Sequence, residues 1–272
     1  MNDRPVALVT GASSGIGRAL AQEFSNNGYD IIAVARRADK LAELKAELTT
    51  TNVYPVVLDL AKAKGPAKLL AATEELGLNV DVLVNNAGAA YQGQFEDMSE
   101  AQIRNILDLN IRTLTVTTHL FLPQLKASNQ ASILNVSSVV GFQAIPSMAI
   151  YAASKAFVLS FTESLAEELR SEGITVNALC PGLTDTAMVS DLGTDKLLTL
   201  PSGSGLGELN LSQLIMDNPR CVAKEAFQAL ERKQVITIPG LLNKFFIGWA
   251  EYQPRWFKRN LAGIATRMPL FK

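Results

Sequence analysis

The stretch Val6-Ala7-Leu8-Val9-Thr10-Gly11-Ala12-Ser13-Ser14-Gly15-Ile16-Gly17 decides how the rest of the chain is read. Its first five residues are an apolar run of the length of a buried strand. A helical pattern runs from Ala19-Leu20 to Phe24 and is ended by Asn26-Asn27-Gly28. Strand, glycine-rich turn and helix in that order place backbone N–H groups and a helix N-terminus against a pyrophosphate. The spacing is G-x-x-x-G-x-G, one residue longer in its first step than the common dinucleotide fingerprint. Gly11 suits the tight turn, Gly15 a close phosphate approach and Gly17 helix–strand packing, while Ser13 and Ser14 add hydroxyl donors. Taken alone, the stretch also suits a plain strand–helix turn.

The following segments extend the pattern. Strands are expected at 29–35, 53–60, 80–84, 131–136, 174–180 and 235–238, and helices at 40–48, 66–76, 99–109, 113–122, 151–170 and 220–232. This alternation predicts an α/β fold, a Rossmann-like doubly wound parallel sheet of about seven strands with helices on both faces. Ligands of such sheets bind at the carboxyl ends of the strands. Thr10-Gly11, Arg36, Asp59, Asn86, Ser138 and Pro181-Gly182 fall at those ends. A catalytic and cofactor-binding domain is expected over 1–240, with 184–218 as a substrate lid or loop and 241–272 as a C-terminal helical extension. Asn110 is a poor helix former inside a long helical pattern, and its amide can interrupt the backbone ladder.

Cofactor choice is legible at the second strand. An acidic residue at its end would hold the adenosine ribose of NAD. Here the strand ends in Ala35 and Arg36-Arg37 follow. A guanidinium suits a dianionic 2′-phosphate by charge and by its fork of donors. Such a bond is worth about 1.5–3 kcal/mol, a roughly ten- to hundredfold preference, so NADP(H) is expected. Asp59 could accept a bond from the adenine amino group. In Asn85-Asn86-Ala87-Gly88 the small residues let the backbone approach a ligand, and the asparagines can tie strand ends together.

Composition excludes several classes. The 272 residues carry a formal net charge of -1, which argues against nucleic acid as a partner. Two cysteines do not make a disulfide framework, and a reducing cytoplasm is expected. No secretory leader is apparent, and no uncharged apolar run reaches the ~18 residues of a membrane span. The single histidine, His119, lacks Cys, Asp or Glu at ligand spacing, so no metal site is expected.

The chemistry-bearing stretch is Tyr151-Ala152-Ala153-Ser154-Lys155, at the head of a long helical pattern. Residues four apart share a helix face, so Tyr151 and Lys155 can point into one pocket. The lysine charge and the helix N-terminus both favour the phenolate. Bringing a phenol to neutral pH requires about 4 kcal/mol, and a bound cofactor with a positive ring would help. The chemistry suggested is a tyrosine acid/base acting at an oxygen. Five residues alone suit an ordinary amphipathic helix equally.

Assembled, these residues resemble the short-chain dehydrogenase/reductase family over roughly residues 5–240. Thr10-Gly11-x-x-x-Gly15-x-Gly17, Asn85-Asn86-Ala87-Gly88, Tyr151-x-x-x-Lys155 and Pro181-Gly182 stand in the family's order and approximate spacing. The resemblance implies an NADP-dependent oxidoreductase acting on CH–OH/C=O groups. It makes Tyr151 the acid in reduction and the base in oxidation. Lys155 would hold the nicotinamide ribose, Ser138 the substrate oxygen, and Asn110 a water in a proton relay; Ser137 is the adjacent candidate to Ser138. The implied cofactor set is Gly11, Ser13, Ser14, Gly15, Ile16, Gly17, Arg36, Arg37, Asp59, Leu60, Asn86, Ala87, Gly88, Tyr151, Lys155, Pro181, Gly182, Thr184 and Thr186, the last at the carboxamide. It also implies a homodimer or homotetramer.

A small-molecule carbonyl or alcohol is the expected substrate, and a hydrophobic one, given Val139, Val140, Phe142, Ile145, Met148, Leu183 and Met188. The alternative from another class is an NADP-binding regulatory protein without turnover, which would have no need of Ser138, Tyr151 and Lys155 together. The tail departs from many family members. It carries aromatic residues and six basic residues against the single acid Glu251, and Pro254 should divide it into helices at 242–251 and 255–266. Packing over the substrate mouth or against a second subunit is expected ahead of a membrane-surface contact. The tail also contains Pro239-Gly240-Leu241-Leu242-Asn243-Lys244, similar to a passage in the acyl-reductase and hydroxysteroid-dehydrogenase-like branches.

Overall fold

A computed structural model of the chain describes residues 4–184, 217–251 and 253–254. Among them, seven parallel strands form one sheet: β1 (Val6–Thr10), β2 (Asp30–Ala35), β3 (Val53–Val57), β4 (Val82–Asn85), β5 (Ser132–Val136), β6 (Thr175–Leu179) and β7 (Ile236–Thr237). Their order is β3-β2-β1-β4-β5-β6-β7. The order reverses at β1, which pairs with β2 on one side and β4 on the other. Connections leaving those strands diverge and open a crevice at their carboxyl ends.

Successive strand residues point to opposite faces, so each buried strand feeds two cores. Ala7, Val9, Ile31, Ala33, Val82 and Val84 face one core. It is covered by α1 (Gly15–Asn26), α2 (Ala38–Glu47) and α7 (Pro219–Glu231) through Leu20, Phe24, Leu41, Leu44 and Phe227. Val6, Leu8, Ile32, Val34, Leu83 and Ile133 face the other. There α3 (Gly65–Glu75), α5 (Leu114–Ala127) and α6 (Ala149–Glu168) contribute Leu69, Phe121, Leu125 and Leu165. Phe24, Tyr29 and Phe227 meet edge-on, with ring centroids 5.3–6.1 Å apart, and tie α1 to α7. The short α4 (Glu100–Leu107) begins at a capping box formed by Ser99 and Gln102.

Several boundaries differ from the sequence reading. β3 stops at Val57, two residues before Asp59. It is an edge strand, which accommodates Pro55 without a ladder donor. α5 continues through Pro123 to Ala127 because Phe121 and Leu125, on either side of it, are fully buried. Between α4 and α5 the chain makes a π-helical turn, Asp108–Thr113, around Asn110. Thr186, Met188, the interior of the expected 184–218 loop and the second tail helix lie outside the described residues. The first tail helix, α8, spans Leu241–Glu251. Among the described residues no helix is long and apolar enough to cross a membrane.

A polar ladder crosses the second core. Asn85 and Asn135 are register partners, and the Asn85 amide donates to Thr118 Oγ1 and Asn135 Oδ1, both at 2.9 Å. Asn135 Nδ2 donates in turn to Thr162 Oγ1 at 3.0 Å. All four residues are buried. Asn135→Ala should lower unfolding free energy by about 2–4 kcal/mol, because it opens a void and takes away the acceptor of an Asn85 amide hydrogen and the donor to Thr162 Oγ1. Urea denaturation measures this, and a loss below about 0.5 kcal/mol would show that the ladder is dispensable.

Candidate active site

One cleft of about 720 Å³ runs along the carboxyl edge of the sheet. Its walls include Gly11, Ser13, Ser14, Gly15, Ile16, Gly17, Arg36, Arg37, Asp59, Leu60, Asn86, Ala87, Gly88, Ser138, Tyr151, Lys155, Pro181, Gly182 and Thr184. The sequence-derived cofactor set therefore converges on one surface, Thr186 excepted, which lies outside the described residues. Asp59 sits beyond the end of β3 and accepts a bond from Ala61 N at 3.1 Å.

The β1–α1 turn is held by contacts from β4. Thr10 Oγ1 donates to Val84 O at 3.0 Å and accepts from Asn86 N and Ala87 N at 2.9 and 3.0 Å. Asn86 Nδ2 donates to Thr10 O at 2.9 Å. A Cβ on Gly17 would lie 2.3 Å from that Nδ2 and 2.4 Å from Gly11 O, so only glycine fits. Gly15 has φ +55, in the left-handed region. Ser14, the N-cap of α1, makes no side-chain cap bond. Arg37 donates instead to Ser13 Oγ and Ser14 Oγ at 3.1 and 2.8 Å. The start of α1 thus offers unpaired N–H groups beside serine hydroxyls and two guanidinium groups. That donor set fits a pyrophosphate with a further phosphate at the Arg36–Arg37 end.

At the opposite end stand Ser138, Tyr151 and Lys155. Tyr151 lies in the first turn of α6, and the nearby Ser138 side chain works to lower the pKa of its phenol; Ser138 Oγ also reaches Pro181 O at 3.4 Å. Lys155 is buried, donates from Nζ to Val136 O at 2.9 Å, and lies 5.6 Å from the Tyr151 ring centroid. Ser138 rather than Ser137 faces the phenol, because Ser137 Oγ donates to Lys155 O at 2.8 Å. Asn110 Nδ2 donates to Ala89 O and Ser154 Oγ, both at 2.9 Å, and Oδ1 accepts from Ala89 N at 2.8 Å. Both Asn110 amide hydrogens are used, and with its Oδ1 the side chain braces Ala89 against Ser154 on α6.

Electrostatics correct one expectation. Burial pushes the Tyr151 phenol up to about 12, although Ser138 works downward. Burial pulls Lys155 down to about 8. Desolvation prevails in the cofactor-free protein, so the phenol stays protonated at neutral pH beside the lysine and the helix N-terminus. A positive charge placed in the cleft would have to supply the difference.

Tyr91, Gln92 and Asn105 also line the cleft and went unnamed in the sequence reading. Tyr91 and Gln92 come directly after Asn85-Asn86-Ala87-Gly88, which was their signal. A smaller cavity of about 210 Å³ adjoins Tyr151 and is walled by Phe95, Met98, Pro146, Met148 and Ile150 among others. Of the expected apolar residues that are described, Met148 lines it. Val139, Val140 and Phe142 lie instead on the 3₁₀ turn Val139–Phe142 that follows Ser138.

Comparisons with known proteins agree with this geometry. The family model described as short chain dehydrogenase matches residues 5–197. Sulfoacetaldehyde reductase 2 of Chromohalobacter salexigens is 38% identical over 184 residues, 66% of this chain and 73% of that relative. A short-chain dehydrogenase from Sphingobium yanoikuyae, solved in complex with NADPH, is 30% identical with a TM-score of 0.76, covering 92% of this chain and 97% of its own. Another short-chain dehydrogenase/reductase, from Burkholderia phymatum in complex with NAD, is 26% identical with a TM-score of 0.75, covering 90% and 92%. With its seven-stranded parallel sheet and its Gly11–Gly17 and Tyr151–Lys155 motifs in place, the chain belongs to the short-chain dehydrogenase/reductase family of oxidoreductases.

Proposed function

We propose that the protein transfers a hydride between NADP(H) and the carbonyl or secondary alcohol of a hydrophobic small molecule. The observation that carries this reading is the meeting of Ser138, Tyr151 and Lys155 at one end of a cleft whose other end is built for phosphates. The nicotinamide, when bound, supplies the hydride in reduction and accepts it in oxidation. The protein's own part is the proton. Tyr151 gives its phenolic proton to the carbonyl oxygen as that oxygen becomes a hydroxyl, and takes it back in the reverse direction. Ser138 hydrogen-bonds the same oxygen and stabilises charge developing there. Lys155, anchored on Val136 O, holds the ribose and favours the phenolate once a positive ring lies beside it. Asn110 braces the Gly88–Ala89 wall.

Arg36 and Arg37 support NADP(H) over NAD(H), since no carboxylate stands at the end of β2. The apolar cavity of Phe95, Met98, Met148 and Ile150 supports a hydrophobic substituent on the substrate carbon. Exposed Leu107, Val116 and Phe157 support association of copies into a dimer or tetramer; a monomer by light scattering at micromolar concentration would refute that part.

Oxidation of NADPH against a panel of carbonyls tests the activity. Tight binding without turnover of any carbonyl would favour an NADP-binding regulator instead. Tyr151→Phe should lower turnover by about 10²-fold or more while leaving NADPH binding nearly intact; retention of a tenth of the rate would sink the role. Replacing both Arg36 and Arg37 by alanine should weaken NADPH roughly ten- to hundredfold more than NADH. Equal losses would place the arginines outside cofactor choice.

The buried pair should also mark the pH dependence of stability. Lys155 titrates near 8 when folded against 10.5 when unfolded, so the unfolded state holds more protons in that window and stability rises across it. Tyr151 keeps its proton to about 12 against 10.0 when unfolded, so stability falls as pH rises through that higher window. In urea titrations of the cofactor-free protein, Tyr151→Phe should flatten the alkaline fall and leave the rise near pH 8–10 unchanged. An unaltered fall would contradict the burial of the phenol.

A further inference from the structure

The beginning of the tail reaches the reaction end of the cleft. Gly182 lines that end, three residues beyond the end of β6 at Leu179. The side-chain amide of Asn243, in the first turn of α8, lies flat against it. A Cβ built on Gly182 would sit 2.5 Å from Asn243 Nδ2, 2.7 Å from Oδ1 and 2.8 Å from Cγ. Gly182 does not have a left-handed φ, so its lack of a side chain answers to Asn243 and not to its own backbone conformation.

Asn243 is itself fixed. Its Nδ2 donates to Asp217 Oδ2 at 2.8 Å and to Pro239 O at 3.0 Å, using both amide hydrogens. Asp217 is joined to the same stretch of cleft wall, because its N donates to Leu183 O at 2.8 Å and it forms a parallel bridge with Thr184. Asp217 and Thr184 flank residues 185–216, so the bridge brings the two ends of that segment together. Glu225 secures the helix start from α7: it accepts from Gly240 N at 3.3 Å and from Lys244 Nζ at 3.1 Å. On its other side α8 packs against the 3₁₀ turn that follows Ser138.

We propose that Asn243, held by Asp217, is a positioning residue for the nicotinamide end of the cofactor site, so that the first tail helix is part of the active site. It sets where the Gly182–Thr184 backbone stands relative to Ser138 and Tyr151. This rests on the reading of the cleft as a nicotinamide site. It gives the first tail helix a role that calls on neither a membrane nor a second subunit.

The test compares Asn243→Ala, Gly182→Ala and the double variant in the full-length protein. Two ligands are titrated: whichever of NADPH and NADH the wild-type binds tighter, and ADP, which carries adenine and pyrophosphate but no nicotinamide. Asn243→Ala should weaken the whole cofactor roughly fivefold, the value of one lost hydrogen-bonded contact, and leave ADP unchanged. kcat with a reducible carbonyl should fall more than its KM changes. Gly182→Ala should be worse than Asn243→Ala, and the double variant should recover toward the latter, because removing the amide makes room for the new methyl. Parallel losses of ADP, cofactor and melting temperature in Asn243→Ala would mean a merely structural residue and overturn the inference. So would a Gly182→Ala defect that Asn243→Ala does not relieve. Wild-type protein that binds neither NADPH nor NADH would overturn the cofactor reading itself, and this inference with it.

Discussion

A lysine whose ammonium is buried among apolar strands is the constraint around which this structure is arranged. Lys155 loses most of its water and is pulled toward neutrality, and the phenol four residues earlier is pushed the other way. At neutral pH the phenol therefore keeps its proton, which suits an acid in reduction and opposes a base in oxidation. The surroundings recover part of the loss through Val136 O on the lysine and Ser138 on the phenol. The rest has to come from charge brought into the cleft. A phenol held protonated until a cationic ring arrives would tie alcohol oxidation to the oxidised cofactor, and desolvation is what sets that requirement.

Holding the cleft open beside such a pair takes close backbone approach, and the same device does it at both ends. At Gly17 the Asn86 amide, carried by the end of β4, lies where a Cβ would be. At Gly182 the Asn243 amide, carried by the tail, does likewise. In each case an asparagine from a distant part of the chain hydrogen-bonds backbone carbonyls: Thr10 O at one end, Pro239 O at the other. The planar amide is thin enough to pack face-on against a glycine Cα and polar enough to be held there. These two contacts fix the walls between which a long, flat ligand can lie.

This explains what was legible in the sequence. Strand and helix existence came from local periodicity, and the Gly11–Gly17 turn and Tyr151–Lys155 pair from spacing on a single element. Both kinds of signal survive folding unchanged. The end of β3 before Asp59, the run of α5 through Pro123 and the sign of the Tyr151 shift depend on neighbours far away in sequence. So does Asn243: Pro239-Gly240-x-x-Asn243-Lys244 is visible as a pattern, but its partners Gly182 and Asp217 are brought to it only by the β6–β7 pairing and the Thr184–Asp217 bridge. The Asn110 amide reads as an interruption from sequence; only the fold supplies Ala89 and Ser154, which make it a brace.

The two arginines after β2 divide their work in a way that spacing could not reveal. Arg37 is drawn back across the glycine turn onto Ser13 and Ser14, which orders the serine hydroxyls at the N-terminus of α1. A guanidinium has five donors, and these two bonds leave Arg37 capacity for a phosphate. Arg36 also lines the cleft and is exposed. A 2′-phosphate at this position would meet two exposed cations, of which Arg37 is already hydrogen-bonded to the serine hydroxyls. The hydrogen-bonded one has already lost side-chain entropy in the cofactor-free protein, so its charge-assisted bond would be formed at a smaller entropic penalty. On that argument Arg37, which follows the strand end by two residues, would contribute more than the adjacent Arg36 to the NADP(H) selectivity proposed above.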